Sequence, residues 1–185
     1  MKPFVGEEDT LLEIGCRDDR GVLSAQILDF SRMTILDMTP SRVSLTKNTS
    51  QQLNSPEKNQ KINFIVADIF GEDIDSIGSY DVVMTTALVH HTSREKIPSL
   101  FSIFKKLANK RIIVSGPNKR KQTKLYGDHR YHLDRDDLKK VAGDIGLVET
   151  AYLEHDDLAP PIGFFGEAAR EMAINGVNII VYEKG

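Results

Sequence analysis

Short apolar runs alternate with amphipathic stretches along most of the chain. Residues 11–15 predict a first strand, after which Val22, Leu23, Ile27 and Phe30 recur at helical spacing. Residues 34–37 predict a second strand. Pro40 and Ser41 then open a helix toward Gln52, and the polar residues 54–61 read as a loop. Residues 62–68 and 80–85 predict the third and fourth strands, the latter after a Gly78-Ser79 turn. Ile97, Leu100, Phe101, Phe104 and Leu107 make one apolar stripe of a helix. Thr92 and Glu95 have capping-box spacing ahead of it, and Pro98 marks where its regular part begins. Residues 111–115 predict a fifth strand closed by Gly116-Pro117. Asp134 caps a helix that buries Leu138, Val141, Ala142 and Ile145 and stops at Gly146. Residues 147–153 and 177–182 predict the last two strands. This alternation implies an α/β fold, a doubly wound and mostly parallel sheet with helices on both faces.

Composition narrows the class. A chain of 185 residues fits one domain, 1–185, with a core that needs no staples. The one cysteine, Cys16, excludes an internal disulfide. Residues 1–10 lack the basic and apolar regions of a signal peptide, and no apolar run reaches membrane-span length, so a cytoplasmic protein without a membrane partner is expected. A net charge of −3 gives no overall pull toward nucleic acid. The charge is unevenly spread: Lys105, Lys106, Lys110, Arg111, Lys119, Arg120, Lys121 and Lys124 occur with no acid between residues 105 and 127. Two readings are open, a solvated helix end and loop or a patch for an anionic partner.

The most informative stretch is residues 11–37. An apolar strand ends in Glu13-Ile14-Gly15-Cys16, a helix follows, and a second strand ends in Asp37. This unit suits a nucleoside, with the second acid placed for ribose hydroxyls. The alternative for Asp37 is an ordinary capping acid beside Pro40. Asp68, at the end of the third strand, reads either as a ligand acceptor or as a surface carboxylate.

With Leu-Leu-Glu-Ile-Gly-Cys (11–16), Ile-Leu-Asp-Met-Thr-Pro-Ser (35–41), Val-Ala-Asp-Ile (66–69) and Tyr-Asp-Val-Val-Met-Thr-Thr-Ala-Leu-Val-His-His (80–91) in order, and a matching helix across 133–147, the chain resembles the class I S-adenosylmethionine-dependent methyltransferases over residues 11–183. The resemblance implies a seven-stranded sheet whose last strand is antiparallel. It implies S-adenosyl-L-methionine as cofactor, held by Glu13, Gly15, Cys16, Arg17, Asp37, Met38, Asp68, Ile69 and Thr86. In such proteins the acid matching Glu13 helps fix the methionine moiety through the turn. Asp68 would accept the adenine amino group, with Ile69 donating its backbone N–H. Met38 would pack on the adenine or serve as plain core.

The first motif departs from the family. Where Gly-x-Gly-x-Gly is usual, Arg17 and Asp19 hold the second and third glycine positions. Either the turn is longer, with Gly21 as its final glycine and Arg17 or Arg20 clamping the cofactor carboxylate, or the site is degraded and the chain is a non-catalytic binding or scaffolding module. Cys16 reads as a small buried residue, because nothing near it in sequence supplies a base.

Ligands of such sheets sit at the carboxyl ends of the strands. His90 and His91 lie there, as candidate catalytic base or acceptor partner, or else as a structural pair capping the next helix. His129 and His132, with Asp128, lie in the loop after the fifth strand and are candidates for acceptor binding; two histidines three apart are weak evidence for a metal, and none is expected. The short run before the first strand leaves residues 154–176 as the expected lid, with Phe164 and Phe165 closing over the acceptor, packing on the sheet, or facing a partner. Methyl transfer to a small-molecule acceptor is the expected function. A nucleic-acid acceptor through the basic segment is less favoured.

Overall fold

The computed structural model describes residues 2–16, 20–86, 88–117, 134–155 and 177–185. Seven strands form one sheet: β1 (Thr10–Ile14), β2 (Arg32–Asp37), β3 (Ile62–Val66), β4 (Tyr80–Thr85), β5 (Ala108–Pro117), β6 (Leu147–His155) and β7 (Val177–Lys184). Their order is β3-β2-β1-β4-β5-β7-β6. β1 through β5 pair in parallel, while β7 runs antiparallel to both β5 and β6, so six strands share one direction. The expected fold class holds, including the antiparallel last strand.

The near-continuous apolar character of the central strands follows from burial on both faces. Along β1, Leu12 and Ile14 enter one core and Leu11 enters the other. The first core packs under α5 (Ile97–Leu107) and α6 (Arg135–Asp144). Phe101 meets Tyr182 edge-on with ring centroids 5.6 Å apart, and Leu138 and Ala142 seal the far side. The second core takes Ala25 from α1 (Arg20–Ile27) and Leu28 directly after it, with Met33, Ile35 and Val82 beneath. No helix among the described residues is long and apolar enough to cross a membrane.

Several local expectations change. Residues 54–61 contain a short helix, α3 (Pro56–Gln60), after α2 (Pro40–Leu53). Ser55 caps it by accepting from the Lys58 N–H at 3.3 Å, with Pro56 opening the first turn. The Thr92–Glu95 capping box does not form. Thr92 instead donates its hydroxyl to the Leu88 carbonyl at 3.0 Å, closing α4 (Leu88–His91), and a 3-10 turn at Arg94–Lys96 intervenes before Pro98. Asp134 does cap α6, accepting from the Asp136 N–H at 3.0 Å, and Gly146 (φ 71°) ends it as expected.

The described half of the basic run is occupied internally. Lys105 donates to the Ile145 carbonyl at the end of α6, Lys106 pairs with Asp75, Lys110 with Asp9 and Asp81, and Arg111 with Glu183. Each of these side chains pairs within the chain and ties two elements together. Lys119, Arg120, Lys121 and Lys124 lie outside the described residues.

Candidate functional site

β1 and β4 are neighbours although β2 and β3 extend the sheet on the other side, so the chain reverses its direction of winding between them. Such a switch point opens a crevice at the carboxyl ends of the strands. A cleft of about 420 Å³ lies there. Of the sequence candidates, Gly15, Asp37, Met38, Asp68, Ile69 and His91 line it together.

The turn after β1 keeps its pairing to the second strand: the Gly15 N–H donates to the Leu36 carbonyl at 2.8 Å. Gly15 has φ 82°, a left-handed conformation that residues with a Cβ adopt only under strain. Gly21 lies where α1 closes on the sheet; a Cβ there would sit 3.1 Å from Cys16 Cβ and 3.2 Å from Ile35. That is the close helix–strand approach for which the last glycine of a nucleotide-binding turn is used. Arg17 and Asp19 lie outside the described residues.

Asp37 ends β2 with little exposure. Its Oδ1 accepts from the Thr39 N–H at 2.9 Å and its Oδ2 faces the Cys16 thiol at 3.8 Å. Met38 is 65% exposed, so it is not a core residue. Across the cleft Asp68 is exposed; its Oδ1 accepts from the Phe70 N–H at 3.0 Å, and Ile69 is buried beside it.

Other candidates stand elsewhere. Glu13 is fully buried and accepts the Thr86 hydroxyl at 3.3 Å, and neither residue lines the cleft. Cys16 is fully buried behind the turn, and burial first, with the Asp37 and Glu13 charges added, pushes its thiol up to about 11. It is therefore protonated and no nucleophile. The two histidines separate: His91 lines the cleft, whereas His90 is 2% exposed and packs against it with ring centroids 4.3 Å apart. His129, His132, Phe164 and Phe165 lie outside the described residues, and of the expected lid at 154–176 only Glu154 and His155 are described, as the last two residues of β6. Among the described residues no cluster of His, Cys, Asp and Glu could hold a metal ion.

Sequence reasoning missed Arg42, Phe70 and the wall formed by Thr92, Ser93, Glu95 and Lys96. Arg42 stands in the first turn of α2, close after the strand-end acid, and that position was the available signal. Lys96 holds its ammonium 5.2 Å from the centre of the Phe70 ring. Three carboxylates and two permanent cations thus share the cleft, a mixture that suits a zwitterionic ligand better than a polyanion.

No family model and no curated protein sequence matches the chain. Solved structures do. Magnesium protoporphyrin IX methyltransferase from Synechocystis PCC 6803 aligns with a TM-score of 0.67 and 17% identity, covering 96% of this chain and 71% of the other. The N-methyltransferase NodS from Bradyrhizobium japonicum WM9 aligns at 0.64 and 11%, covering 96% and 86%. Geranyl diphosphate C-methyltransferase from Streptomyces coelicolor A3(2) aligns at 0.66 and 13%, covering 100% and 74%. Strand order, the antiparallel last strand and these alignments agree: the chain has the Rossmann-like fold of class I S-adenosylmethionine-dependent methyltransferases.

Proposed function

We propose that the protein is an S-adenosylmethionine-dependent methyltransferase acting on a small-molecule acceptor. The observation that carries this reading is Asp37 at the end of β2, facing the same cleft as the left-handed turn at Gly15. The residues fit a nucleoside cofactor. An ionised carboxylate has about four acceptor sites. Thr39 and Cys16 engage one on each Asp37 oxygen, which leaves capacity for two ribose hydroxyls. The neighbour from Synechocystis is described with bound S-adenosylmethionine, and that from Streptomyces with S-adenosylhomocysteine and geranyl diphosphate.

When bound, the cofactor supplies an electrophilic methyl group on a sulfonium. The chain's own contribution is binding and orientation. Asp37 accepts from the ribose, Asp68 accepts from the adenine amino group, and Ile69 and Met38 offer apolar surface to the base. His91 orients the acceptor, or takes its proton where methylation requires deprotonation. A small acceptor is favoured because the net charge of −3 gives no overall pull toward nucleic acid. The buried thiol of Cys16 suits a reducing cytoplasm.

Calorimetric titration with S-adenosylmethionine and S-adenosylhomocysteine tests the reading. Micromolar binding of both supports it. No binding by protein shown to be folded would replace it with the non-catalytic module suggested by Arg17 and Asp19 in the turn.

A further inference from the structure

We propose that Cys16 is a positioning residue for Asp37, the middle member of a buried hydrogen-bond chain from Thr46 through Cys16 to the strand-end carboxylate. The Thr46 hydroxyl donates to Cys16 Sγ at 3.3 Å, and Cys16 Sγ donates to Asp37 Oδ2 at 3.8 Å. Thr46 and Cys16 are fully buried, and Asp37 is nearly so. The chain therefore joins the middle of α2, the turn after β1 and the end of β2.

Each link has a direction. Thr46 spends its one hydroxyl proton on sulfur, so the thiol proton is the one left to face the carboxylate. The thiol keeps that proton at physiological pH, because burial and the nearby acids oppose the thiolate. Asp37 Oδ1 is fixed separately by the Thr39 N–H at 2.9 Å. Fixing each oxygen from a different side leaves one carboxylate orientation. Room is limited as well: α1 closes on this spot through Gly21, where even an added Cβ would press on Cys16 Cβ at 3.1 Å. A small side chain that can both accept and donate meets these conditions. The functional consequence rests on the methyltransferase reading: ribose hydroxyls meet an acceptor that needs no reorganisation on binding.

Cys16 is the only cysteine, so the infrared S–H stretch of the protein is a single band that reports this bond without any ligand. The stretch is expected to lie low in the wild type and to rise in Asp37→Asn and again in Asp37→Leu. Thr46→Val, which changes no charge, is expected to move it as well. A band that stays put in all three variants overturns the proposal. Titration with S-adenosylhomocysteine supplies the second readout. Cys16→Ser, which keeps donor and acceptor, is expected to bind within a few-fold of the wild type, and Cys16→Ala, still folded but with a lowered melting temperature because it strands the buried Thr46 hydroxyl, about tenfold more weakly. Equal affinity of Cys16→Ala and wild type overturns the positioning role. Band shifts in a protein that binds no S-adenosylhomocysteine would uphold the hydrogen-bond chain and remove the methyltransferase reading. Binding with an immobile band would do the reverse.

Discussion

Asp37 Oδ1 accepts the backbone N–H of Thr39 at 2.9 Å, so the carboxylate that ends β2 also shapes the turn into α2. Asp37→Ala removes the ligand acceptor, this turn bond and the acceptor of the Cys16 thiol. Affinity for S-adenosylhomocysteine is expected to fall by about 10- to 100-fold, the range for losing charge-assisted hydrogen bonds. Stability is expected to fall by about 1–3 kcal/mol, because the Thr39 N–H can turn to water but the buried Cys16 thiol loses its acceptor. Calorimetry and urea melts on the same variant separate the two effects. Unchanged affinity would take Asp37 out of the ribose role.

The two histidines predict opposite phenotypes. His91 is half-buried on the cleft wall, whereas His90 is packed behind it. His91→Ala is expected to keep the melting temperature within a few degrees and cofactor affinity within a few-fold, while turnover of an identified acceptor drops at least tenfold. His90→Ala is expected to lose about 1–3 kcal/mol of stability, as buried polar truncations do. Turnover lost on His90→Ala but kept on His91→Ala, both folded, would exchange their roles.

Particular residues show what the sequence disclosed and where it stopped. β4 was readable to its last residue because Tyr80–Thr85 is a compact apolar run behind Gly78, whose φ of 82° forces a turn. α3 was missed because it buries none of its side chains, so no apolar period marks it. Asp37 and Asp68 were legible as cleft residues because an acid ending an apolar strand is a local signal. Lys96 was not, because only the return of the Arg94–Lys96 turn brings it to the same opening. Glu13 illustrates the converse. Its place in the motif was legible, but its full burial toward Thr86 depends on β1 lying inside a sheet covered on both faces.

Gly15 is expected to resist substitution for a conformational reason more than a steric one. A Cβ added there would meet Leu88 Cβ at 3.5 Å, an ordinary contact, but the φ of 82° stays. Gly15→Ala should therefore lose about 1–2 kcal/mol. Gly15→Asn should lose less, since asparagine tolerates the left-handed region. Urea denaturation of both variants checks the ranking. If alanine proves no worse than asparagine, strain at this turn is not what selects glycine.

At the opposite end of the sheet, Lys110 joins Asp9 (2.7 Å) and Asp81 (3.2 Å), and this cluster makes stability depend on pH. Burial tends to raise the Asp9 carboxyl, but the hydrogen bonds from Lys110 and the Gly6 N–H outweigh it and hold the group below the ordinary aspartate range. The Thr10 N–H is the main cause of the same downward shift at Asp81, which Lys110 reinforces. A carboxyl whose folded pKa is depressed adds stability above its unfolded value, about pH 4, and loses it as pH falls through the folded value. The Lys110 ammonium is shifted upward by the same two partners, so its share is present below its ordinary pKa and lost only in strong alkali. The contribution of this cluster to stability is expected to be level from about pH 5 to pH 10 and to weaken below about pH 4. Lys110→Met removes the cation and leaves burial and the Asp81 charge, which raise the Asp9 pKa, opposed by the Gly6 N–H alone. The variant should be less stable than wild type at pH 7, and the gap should close toward pH 3 as Asp9 and Asp81 protonate in both proteins. Urea melts at pH 7, 5 and 3 measure that gap directly. A gap that stays constant across the series would mean that the Lys110 stem, packed against its neighbours, stabilises the protein and its charge does not.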